Sequence, residues 1–471
     1  MFLDSKPQKI IVLGDIMLDY TNSGSINKLA NEAPIPVFLK ESEKVSLGGC
    51  GNVLQNLKAL SCETLYLFSM CGDDADSVVL INLLDQLNIH HEAVKVNGKK
   101  TTSKHRFFSN NKLIFRYDIE DIYTLPKSLE TSILEKLKYI LETETIDCIL
   151  FSDYNKGFLT NSLCESVISL ANSKNVFTCV DPKNDYRKYK NCSLIKPNRN
   201  EVEKLFGITF SLDHLETVHS QIKELVCCKN TVITLGEQGI SGCFENKEYF
   251  YWKYDSKDVI DVTGAGDVVN SILAYYFNQL EQKQRCLQLA SYLATVSVSH
   301  MGAYTLQFTD ILQGYKYLSN SKVIQKEHLV KLKKPLLFTN GCFDILHEGH
   351  ISLFEYCRSI AKNEYEIVLG LNSDASIKRL KGSARPINTL FTRIAILNAI
   401  QHIDWIVVFE EDTPEALLHD LHPHILVKGG DYAVESIVGK EYCKEVKIVP
   451  FTYKISTSTI VKNIQEKVEI K

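Results

Sequence analysis

The 471-residue sequence has no GxxxxGK[ST] phosphate-binding loop, no CxxC pair and no apolar run approaching the ~20 residues needed to cross a membrane. Its 14 cysteines are scattered, many of them in apolar stretches, which predicts reduced, buried thiols and argues against a disulfide framework or a zinc site. The net charge of −4 gives no general attraction to nucleic acid or to anionic membranes. No signal-peptide pattern opens the chain. These absences predict a cytoplasmic protein.

What is present is a globular composition, 45% apolar and 23% charged, in a chain long enough for two or three domains. An apolar run at residues 9–13 predicts a strand buried on both faces. Further strands are predicted at residues 64–68, 148–152, 176–180, 194–196 and 231–235, with helices between them. This alternation predicts βαβ units and a doubly wound parallel sheet. Short strands at residues 36–40, 102–108 and 113–117 predict a small β-sheet that projects from it as a lid.

The alternating pattern stops in a lysine-rich stretch and then begins again. A strand at residues 335–338 opens the second series, and four more are predicted at residues 366–371, 405–409, 425–428 and 446–450. We therefore predict a first α/β domain at residues 1–318, a linker at 319–334 and a smaller Rossmann-like domain at 335–471.

The most informative stretch is DVTGAGD at residues 261–267, where a strand end, a glycine turn and an apolar helix follow one another. Gly264 and Gly266 allow backbone N–H groups to surround an anion, and the helix N-terminus adds its positive dipole end. Asp267, in the first helical turn, can then accept a proton from a hydroxyl beside the held phosphoryl group. The structural alternative is a plain glycine turn with an acidic residue at the helix start.

Polar clusters follow the predicted strand ends at residues 152–157, 181–183, 196–201 and 234–239, which is the sheet edge where open α/β folds bind ligands. Asp15 and Asp19 follow the first strand, and GGCGN at residues 48–52 opens a helix. On the predicted lid, Lys104 and Arg106 alternate onto one face, either as phosphate anchors or as a solvated surface.

Residues 8–315 resemble the ribokinase-type sugar kinases, on the motifs GGxxN at 48–52, PNxxE at 197–201, TxGxxG at 234–239 and GAGD at 264–267. The resemblance implies that Asp267 is the base and that Asn198 and Glu201 order a Mg²⁺–phosphate network, Glu201 indirectly. It further implies that ATP is bound by Thr234, Gly236, Gly239, Gly264, Ala265 and Gly266. The sugar phosphate would contact Asp15, Asp19, Gly48, Gly49, Asn52, Lys104, Arg106, Arg116, Asp153 and Lys156.

The second domain contains HEGH at residues 347–350, and its histidines are three apart, which does not match the HExxH metal motif. Two imidazoles at a helix N-terminus can instead donate to the phosphates of ATP. The motif resembles that of the HxGH nucleotidyltransferases, which implies a catalytic role for His347 and His350. The nucleotide would also be bound by Thr339, Asn340, Gly341, Phe343, Asp344, Lys378, Lys381, Arg393, Lys428, Gly429, Ser456, Thr457 and Ser458.

Both domains together, in this order, resemble the bifunctional heptose kinase/adenylyltransferases of ADP-heptose synthesis over nearly the whole chain. This resemblance implies phosphorylation of D-glycero-β-D-manno-heptose 7-phosphate at O1, adenylyl transfer from ATP to the 1-phosphate, a Mg²⁺ requirement and a homodimer. Two alternatives remain open on the residues alone. One is a kinase/nucleotidyltransferase for another sugar or polyol phosphate, and the other is a non-catalytic protein that binds sugars and nucleotides.

Overall fold

The computed structural model describes residues 6–110, 112–254, 259–319, 321–430 and 433–449. The chain forms two compact units, Met1–Gly314 and Tyr315–Lys471. Within the described ranges, no helix is both long enough and apolar enough to cross a membrane. All 14 cysteines are free thiols, and most of them are buried, as the sequence predicts.

The first unit is an α/β domain with thirteen strands in the ranges that the structure describes. Strands β1 to β13 are Lys9–Gly14, Ile16–Leu29, Pro36–Gly49, Thr64–Gly72, His90–Val96, Ser103–Ser109, Lys112–Ile119, Cys148–Ser152, Phe177–Asp181, Leu194–Ile195, Asn230–Thr234, Ile240–Cys243 and Tyr249–Trp252. Helices α1 to α9 are Cys50–Ala59, Ala75–Gln86, Lys127–Thr143, Asn161–Ser173, Arg199–Phe206, Leu215–Val226, Ala265–Tyr276, Lys283–Val298 and Phe308–Ser319. The boundary between the two units falls within α9.

The main sheet has nine strands in the order β13-β12-β11-β10-β9-β8-β1-β4-β5. The strands from β11 to β5 are parallel, whereas β12 and β13 extend the sheet antiparallel. Central β1 is covered on both faces, since Ile10, Ile11, Val12 and Leu13 are fully buried. All five strands predicted between residues 64 and 235 occur, and β8 has the predicted bounds. The edge strands β5 and β13 and the neighbouring strand β12 were not predicted. Strands β12 and β13 have only four residues each, and β5 mixes charged with apolar residues.

The predicted lid is a separate four-stranded sheet in the order β3-β2-β6-β7. Its longest pairing, between β2 and β3, runs antiparallel from Ile16 opposite Gly49 to Leu29 opposite Pro36. Strand β2 was missed because it is rich in Asn, Ser and Gly, which have low strand propensity. Asp19 consequently lies in a lid strand rather than in a loop after β1.

The second unit contains a five-stranded, all-parallel sheet in the order β16-β15-β14-β17-β18. Strands β14 to β18 are Leu336–Gly341, Glu366–Asn372, Trp405–Phe409, Ile425–Gly429 and Glu445–Val449. Helices α10 to α14 are Lys326–Leu329, Glu348–Ala361, Asp374–Lys381, Leu390–Asn398 and Glu415–Leu421. The parallel sheet and its alternating helices form the expected Rossmann-like arrangement.

Much of the stretch predicted as a linker packs within the second unit. Ile324 N donates to Ile406 O at 2.9 Å, and Ile406 N donates to Lys322 O at 2.8 Å. Leu329, on α10, is buried. Isolated apolar residues among the lysines anchor this segment on β16. The density of charge in the sequence therefore did not predict that the segment packs against the second unit's sheet.

Candidate active sites

The glycine turn and Asp267 form the centre of the site in the first unit. Gly264 precedes helix α7 with a φ of 82°, a left-handed conformation that favours glycine. A Cβ on Gly264 would lie 2.8 Å from the Asn52 side-chain nitrogen, so the turn also needs the space. Asp267 lies in the first turn of α7. The structure therefore places the Asp267 carboxylate in the first helical turn directly after the glycine turn.

The Asp267 carboxylate is buried and is hydrogen-bonded at both oxygens. The Tyr154 hydroxyl donates to Oδ1 at 2.6 Å, and Asn52 Nδ2 donates to Oδ2 at 2.9 Å. Burial raises the pKa of Asp267 to about 6, although these two hydrogen bonds and the charge of Lys196 act to lower it. A carboxylate with a pKa near 6 is ionised at neutral pH and remains basic enough to accept a proton.

A charged network surrounds the same position. Lys196 Nζ lies 2.9 Å from Asp181 Oδ1, and Asn270 Nδ2 donates to Asp181 Oδ2 at 2.6 Å. Burial acts to lower the pKa of Lys196, but the carboxylates of Asp181 and Glu201 outweigh it and raise that pKa above its usual value. This lysine therefore supplies a fixed positive charge beside Asp267.

A cavity of about 840 Å³ opens in front of these groups. It is lined by every residue predicted to bind ATP in this unit, namely Asn198, Glu201, Thr234, Gly236, Gly239, Gly264, Ala265 and Gly266. Apolar walls come from Leu235, Ile240, Val259, Val262 and Val298. A cavity with a polar end and apolar walls suits a nucleotide.

Asn198 and Glu201 have a structural task at the start of α5. The Asn198 side chain accepts a hydrogen bond from Glu201 N at 2.9 Å, and Glu201 Oε2 accepts one from Asn198 N at 2.9 Å. The other Glu201 oxygen lies 2.9 Å from Lys183 Nζ. This capping box fixes both side chains at the cavity wall.

Two carboxylates predicted to contact the sugar are hydrogen-bonded within the protein. Asp15 accepts hydrogen bonds from the backbone N–H groups of Tyr154, Lys156 and Phe158. Asp153 binds the Tyr189 hydroxyl at 2.7 Å and Lys188 Nζ at 2.8 Å. These side chains therefore hold the loop after β8 in place, and their contact with the sugar stays a prediction. Their roles depend on long-range backbone contacts that a sequence pattern does not reveal.

On the lid, Asp19 and Arg106 form a buried pair in which Arg106 Nη1 donates to Asp19 Oδ1 at 2.6 Å. A Cβ on Gly48 would lie 2.2 Å from Asp19 Oδ2, so glycine makes room for this carboxylate. Lys104 Nζ lies 5.7 Å above the Tyr154 ring, and its pKa is lowered by burial despite the charge of Asp19. These lid groups therefore lie near the residues that hold Asp267.

The remaining predicted sugar contacts differ in exposure. Arg116 is exposed and bonds Asp118 at 2.8 and 2.5 Å. Lys156 Nζ lies 2.7 Å from Glu120. Gly49 has a φ of 59° at the end of β3, where a Cβ would meet Asp15 O at 2.4 Å. Of the three basic lid residues predicted to contact the sugar phosphate, Arg106 and Lys104 are thus the ones withdrawn from solvent.

In the second unit, His347 and His350 lie at the N-terminus of α11 with ring centroids 3.8 Å apart. Burial lowers the pKa of both, and the neighbouring His347 and Lys381 help to lower that of His350 to about 4. Both imidazoles are therefore neutral at neutral pH. Among the described residues, the buried His347 Nδ1 and Thr339 Oγ1 have no hydrogen-bond partner. Polar atoms of this kind are available to a ligand.

Asp344 and Arg393, both predicted nucleotide contacts, are used to build the site. Asp344 is bound by Arg385 Nη1 at 2.9 Å and by the backbone N–H groups of Ile387 and Asn388. Arg393 is fully buried and donates to Cys342 O and Asn372 O, each at 2.8 Å. Their polar atoms join the loops around β14, and direct nucleotide binding by these two residues stays a prediction.

The other predicted nucleotide contacts differ in exposure. Lys428 Nζ donates to Asn340 Oδ1, and burial lowers the pKa of Lys428 to about 8. Lys378 and Lys381 are exposed on α12. Phe343 adopts a φ of 46° and packs its ring against His350. Gly341 and Gly429 end β14 and β17, whereas Ser456, Thr457 and Ser458 lie outside the described residues.

The sequence reasoning did not select Tyr154, Asp181 or Lys196 as site residues. All three lie in polar clusters that follow strand ends, and this position was the one feature of the sequence that could have identified them as site residues. Their specific partners are distant in the chain, since Tyr154 is 113 residues from Asp267 and Asn270 is 89 residues from Asp181. Local sequence patterns therefore located the sheet edge that carries the site. They did not show which of the polar residues there contact Asp267 or one another.

Family comparisons agree with the two sites. Residues 7–309 match the pfkB family carbohydrate kinase, and residues 338–467 match the cytidylyltransferase-like family. Together with the geometry, these matches define the class of protein: a carbohydrate kinase joined to a nucleotidyltransferase, with ATP as a substrate.

Full-length relatives make the assignment specific. The chain is 36% identical over 478 residues to the bifunctional protein HldE of Helicobacter hepaticus, covering 98% of both proteins. It is also 36% identical over 476 residues to the bifunctional protein HldE of Campylobacter jejuni strain RM1221, covering 99% of both. The chain therefore belongs to the HldE family of bifunctional proteins.

Solved structures support the fold of the first unit. Phosphofructokinase-2 from Escherichia coli, in complex with potassium, aligns with a TM-score of 0.56 at 17% identity, covering 67% of this chain and 100% of that one. Arabidopsis thaliana ribokinase, complexed with ribose and ATP, aligns with a TM-score of 0.51 at 16% identity, covering 66% and 99%. The ribokinase-like fold predicted from the motifs is confirmed.

Proposed function

We propose that the chain phosphorylates D-glycero-β-D-manno-heptose 7-phosphate at O1 with ATP, and separately transfers an adenylyl group from ATP to heptose 1-phosphate with release of pyrophosphate. A phosphatase on another chain acts between the two steps. The observation that carries the proposal is the buried Asp267 carboxylate at the glycine turn of an 840 Å³ cavity. Membership of the HldE family supports the pairing of the two reactions.

In the kinase step, the O1 hydroxyl lies against Asp267, which accepts its proton as oxygen attacks the γ-phosphorus. The N–H groups around Gly264 and Gly266 hold the transferred phosphoryl group, and Lys196 adds positive charge close by. The adenine ring lies against the apolar cavity wall that includes Val259 and Val262. We also assign ATP binding to Asn198, Thr234, Gly236 and Gly239, a proposal supported by their position in the lining of the same cavity.

Mg²⁺ fits this site as a partner of the ATP phosphates. No group of three His, Cys, Asp or Glu side chains suited to a metal occurs in the described part of the chain. Asp181 and Glu201 nevertheless line the cavity, and Mg²⁺ in such sites usually takes one or two carboxylates together with phosphate oxygens and waters. Bound there, it would neutralise phosphate charge, with Glu201 acting through water.

In the adenylyl transfer step, neutral His347 and His350 donate hydrogen bonds to the phosphate oxygens of ATP and to the charge that develops on the α-phosphorus. Lys428, Lys378 and Lys381 add positive charge. The orphaned His347 Nδ1 supports this placement.

The direct test is mass spectrometry of products formed from ATP, Mg²⁺ and heptose 7-phosphate, and then from ATP and heptose 1-phosphate. A doubly phosphorylated heptose and an ADP-heptose are expected. If products form only from another sugar or polyol phosphate, or only from CTP in the second step, the proposed substrates are wrong. Binding without any turnover in both assays would favour a non-catalytic protein.

The kinase rate should fall at acidic pH. The pKa of Asp267 is raised to about 6, and only its ionised form accepts the proton. We therefore expect kcat to be constant above this pH and to drop about tenfold for each unit below it. The measurement is a pH profile of 1-phosphate formation at saturating substrates. A profile that stays flat down to pH 4 would contradict the assignment of the base.

Arg106 is proposed as an anchor for the 7-phosphate. Arg106→Ala should raise the KM for heptose 7-phosphate about 10- to 100-fold, the range for losing a hydrogen bond to a charged group, while the KM for ATP stays unchanged. The control is Lys40→Ala, which removes an exposed lysine from lid strand β3 that is not among the predicted substrate contacts. Equal changes in both variants would contradict a specific role for Arg106, and circular dichroism checks that the unpaired Asp19 is tolerated.

We also propose that the protein works in the cytoplasm, where ATP is available. It forms a homodimer through the lid. Strand β7 carries Leu113, Phe115 and Tyr117, which are 53%, 58% and 42% exposed and alternate onto one face. Contiguous apolar surface of this kind is usually covered. Light scattering that gives the mass of a single 53.4 kDa chain would contradict this assembly.

A further inference from the structure

Tyr154 connects the loop after β8 to the Asp267 carboxylate. Its hydroxyl donates to Oδ1 at 2.6 Å, which is the shorter of the two side-chain hydrogen bonds that this carboxylate accepts. Asn52 occupies Oδ2. Because one donor binds each oxygen, the plane of the carboxylate is set by both contacts together. Each oxygen keeps a further lone pair with which to accept a proton from a substrate hydroxyl.

The position of Tyr154 is itself fixed by a buried carboxylate. Asp15 Oδ2 accepts hydrogen bonds from Tyr154 N at 2.9 Å and Lys156 N at 3.0 Å, and Oδ1 accepts one from Phe158 N at 3.3 Å. Asp15 is 3% exposed, so these contacts are shielded from water. Displacing the tyrosine would break backbone hydrogen bonds that a buried carboxylate needs.

The Tyr154 hydroxyl remains a donor throughout the working pH range. Burial and the nearby charges of Asp267 and Asp181 raise its pKa well above the usual value. A neutral hydroxyl that donates to a carboxylate favours the ionised form of that carboxylate. The same ring lies beneath Lys104 Nζ at 5.7 Å, which brings the lid close to it.

We propose that Tyr154 is a positioning residue of the kinase step, which holds Asp267 ionised and aimed at the sugar hydroxyl through the bond to Oδ1. This inference rests on the proposed function for its catalytic meaning, but the contact itself can be tested without substrate. Asp15 acts one step further away, by holding the backbone of Tyr154.

The first test is Tyr154→Phe, which removes the hydroxyl and keeps the ring. The acidic limb of the kcat profile should move up by about one to two pH units, the shift that corresponds to losing one hydrogen bond to a charged group. The control is Tyr189→Phe, which removes a buried hydroxyl bound to Asp153 at 2.7 Å. Its limb should stay at the wild-type pH, whereas equal shifts in both variants would indicate a general structural effect and overturn the inference.

A second test reads Asp267 directly in the full chain. With ¹³C-labelled aspartate, the Asp267 carboxyl resonance is the one lost in Asp267→Asn, and its titration midpoint should rise in Tyr154→Phe. If Tyr154→Phe does not fold, 3-fluorotyrosine at position 154 replaces it: the more acidic phenol is a stronger donor and should lower the midpoint. An unchanged midpoint overturns the inference, whereas absence of heptose phosphorylation by the wild-type chain would count against the proposed function alone.

Discussion

Asp267→Asn should abolish most of the kinase activity while leaving the chain folded. We expect 1-phosphate formation to fall about 10²- to 10⁴-fold, the usual cost of losing a general base. The amide has nearly the same shape as the carboxylate, and its oxygen can still accept from Tyr154. Its new N–H₂ group meets Asn52, whose buried Oδ1 has no partner among the described residues and can accept after the Asn52 amide turns over. The substitution therefore removes basicity rather than packing.

The measurement is 1-phosphate formation by the purified variant, with ATP binding and adenylyl transfer from added heptose 1-phosphate as controls. Both controls should stay close to wild type, because the nucleotide cavity is formed mainly by other residues and the second reaction uses another unit. A kinase rate near that of the wild type would show that Asp267 is not the base. It would also remove the basis of the predicted acidic limb.

His350→Ala should give the complementary result. Formation of ADP-heptose should fall about 10²- to 10³-fold, as when a single donor to transition-state charge is removed. The lost group is a neutral imidazole held between His347 and Phe343 at the start of α11. The kinase activity of the same preparation should remain within a few-fold of wild type. The two proposed active sites, at the N-termini of α7 and α11, belong to separate compact units.

A matched control is His419→Ala, which removes an exposed histidine from α14 in the same unit. Both reactions should be unaffected in this variant. Parallel loss of both activities in a well-folded His350→Ala protein would mean that the two reactions are obligatorily coupled. Unchanged adenylyl transfer would remove His350 from the proposed mechanism.

Much of the architecture could be predicted from local patterns. Continuous apolar runs such as residues 9–13 indicate buried parallel strands, because only strands covered on both faces lack polar alternation. The glycine turn at residues 261–267 and the HEGH motif at 347–350 identified the two helix N-termini at the predicted sites. Strand β2 was missed because its polar, glycine-containing sequence forms a strand only through its partners β3 and β6.

By itself, then, the sequence determined that there are two α/β domains, and it selected Asp267, His347 and His350 as the residues predicted to carry the chemistry. The tertiary structure alone decided how the other polar residues are used. Asp15, Asp153, Asp344 and Arg393 resemble ligand contacts in sequence, yet their polar atoms bind backbone and side chains of the protein. Tyr154 acquired its place because folding brings it 2.6 Å from a carboxylate 113 residues away. Such contacts depend on the packing of distant segments, which leaves no periodic or local signal in the sequence.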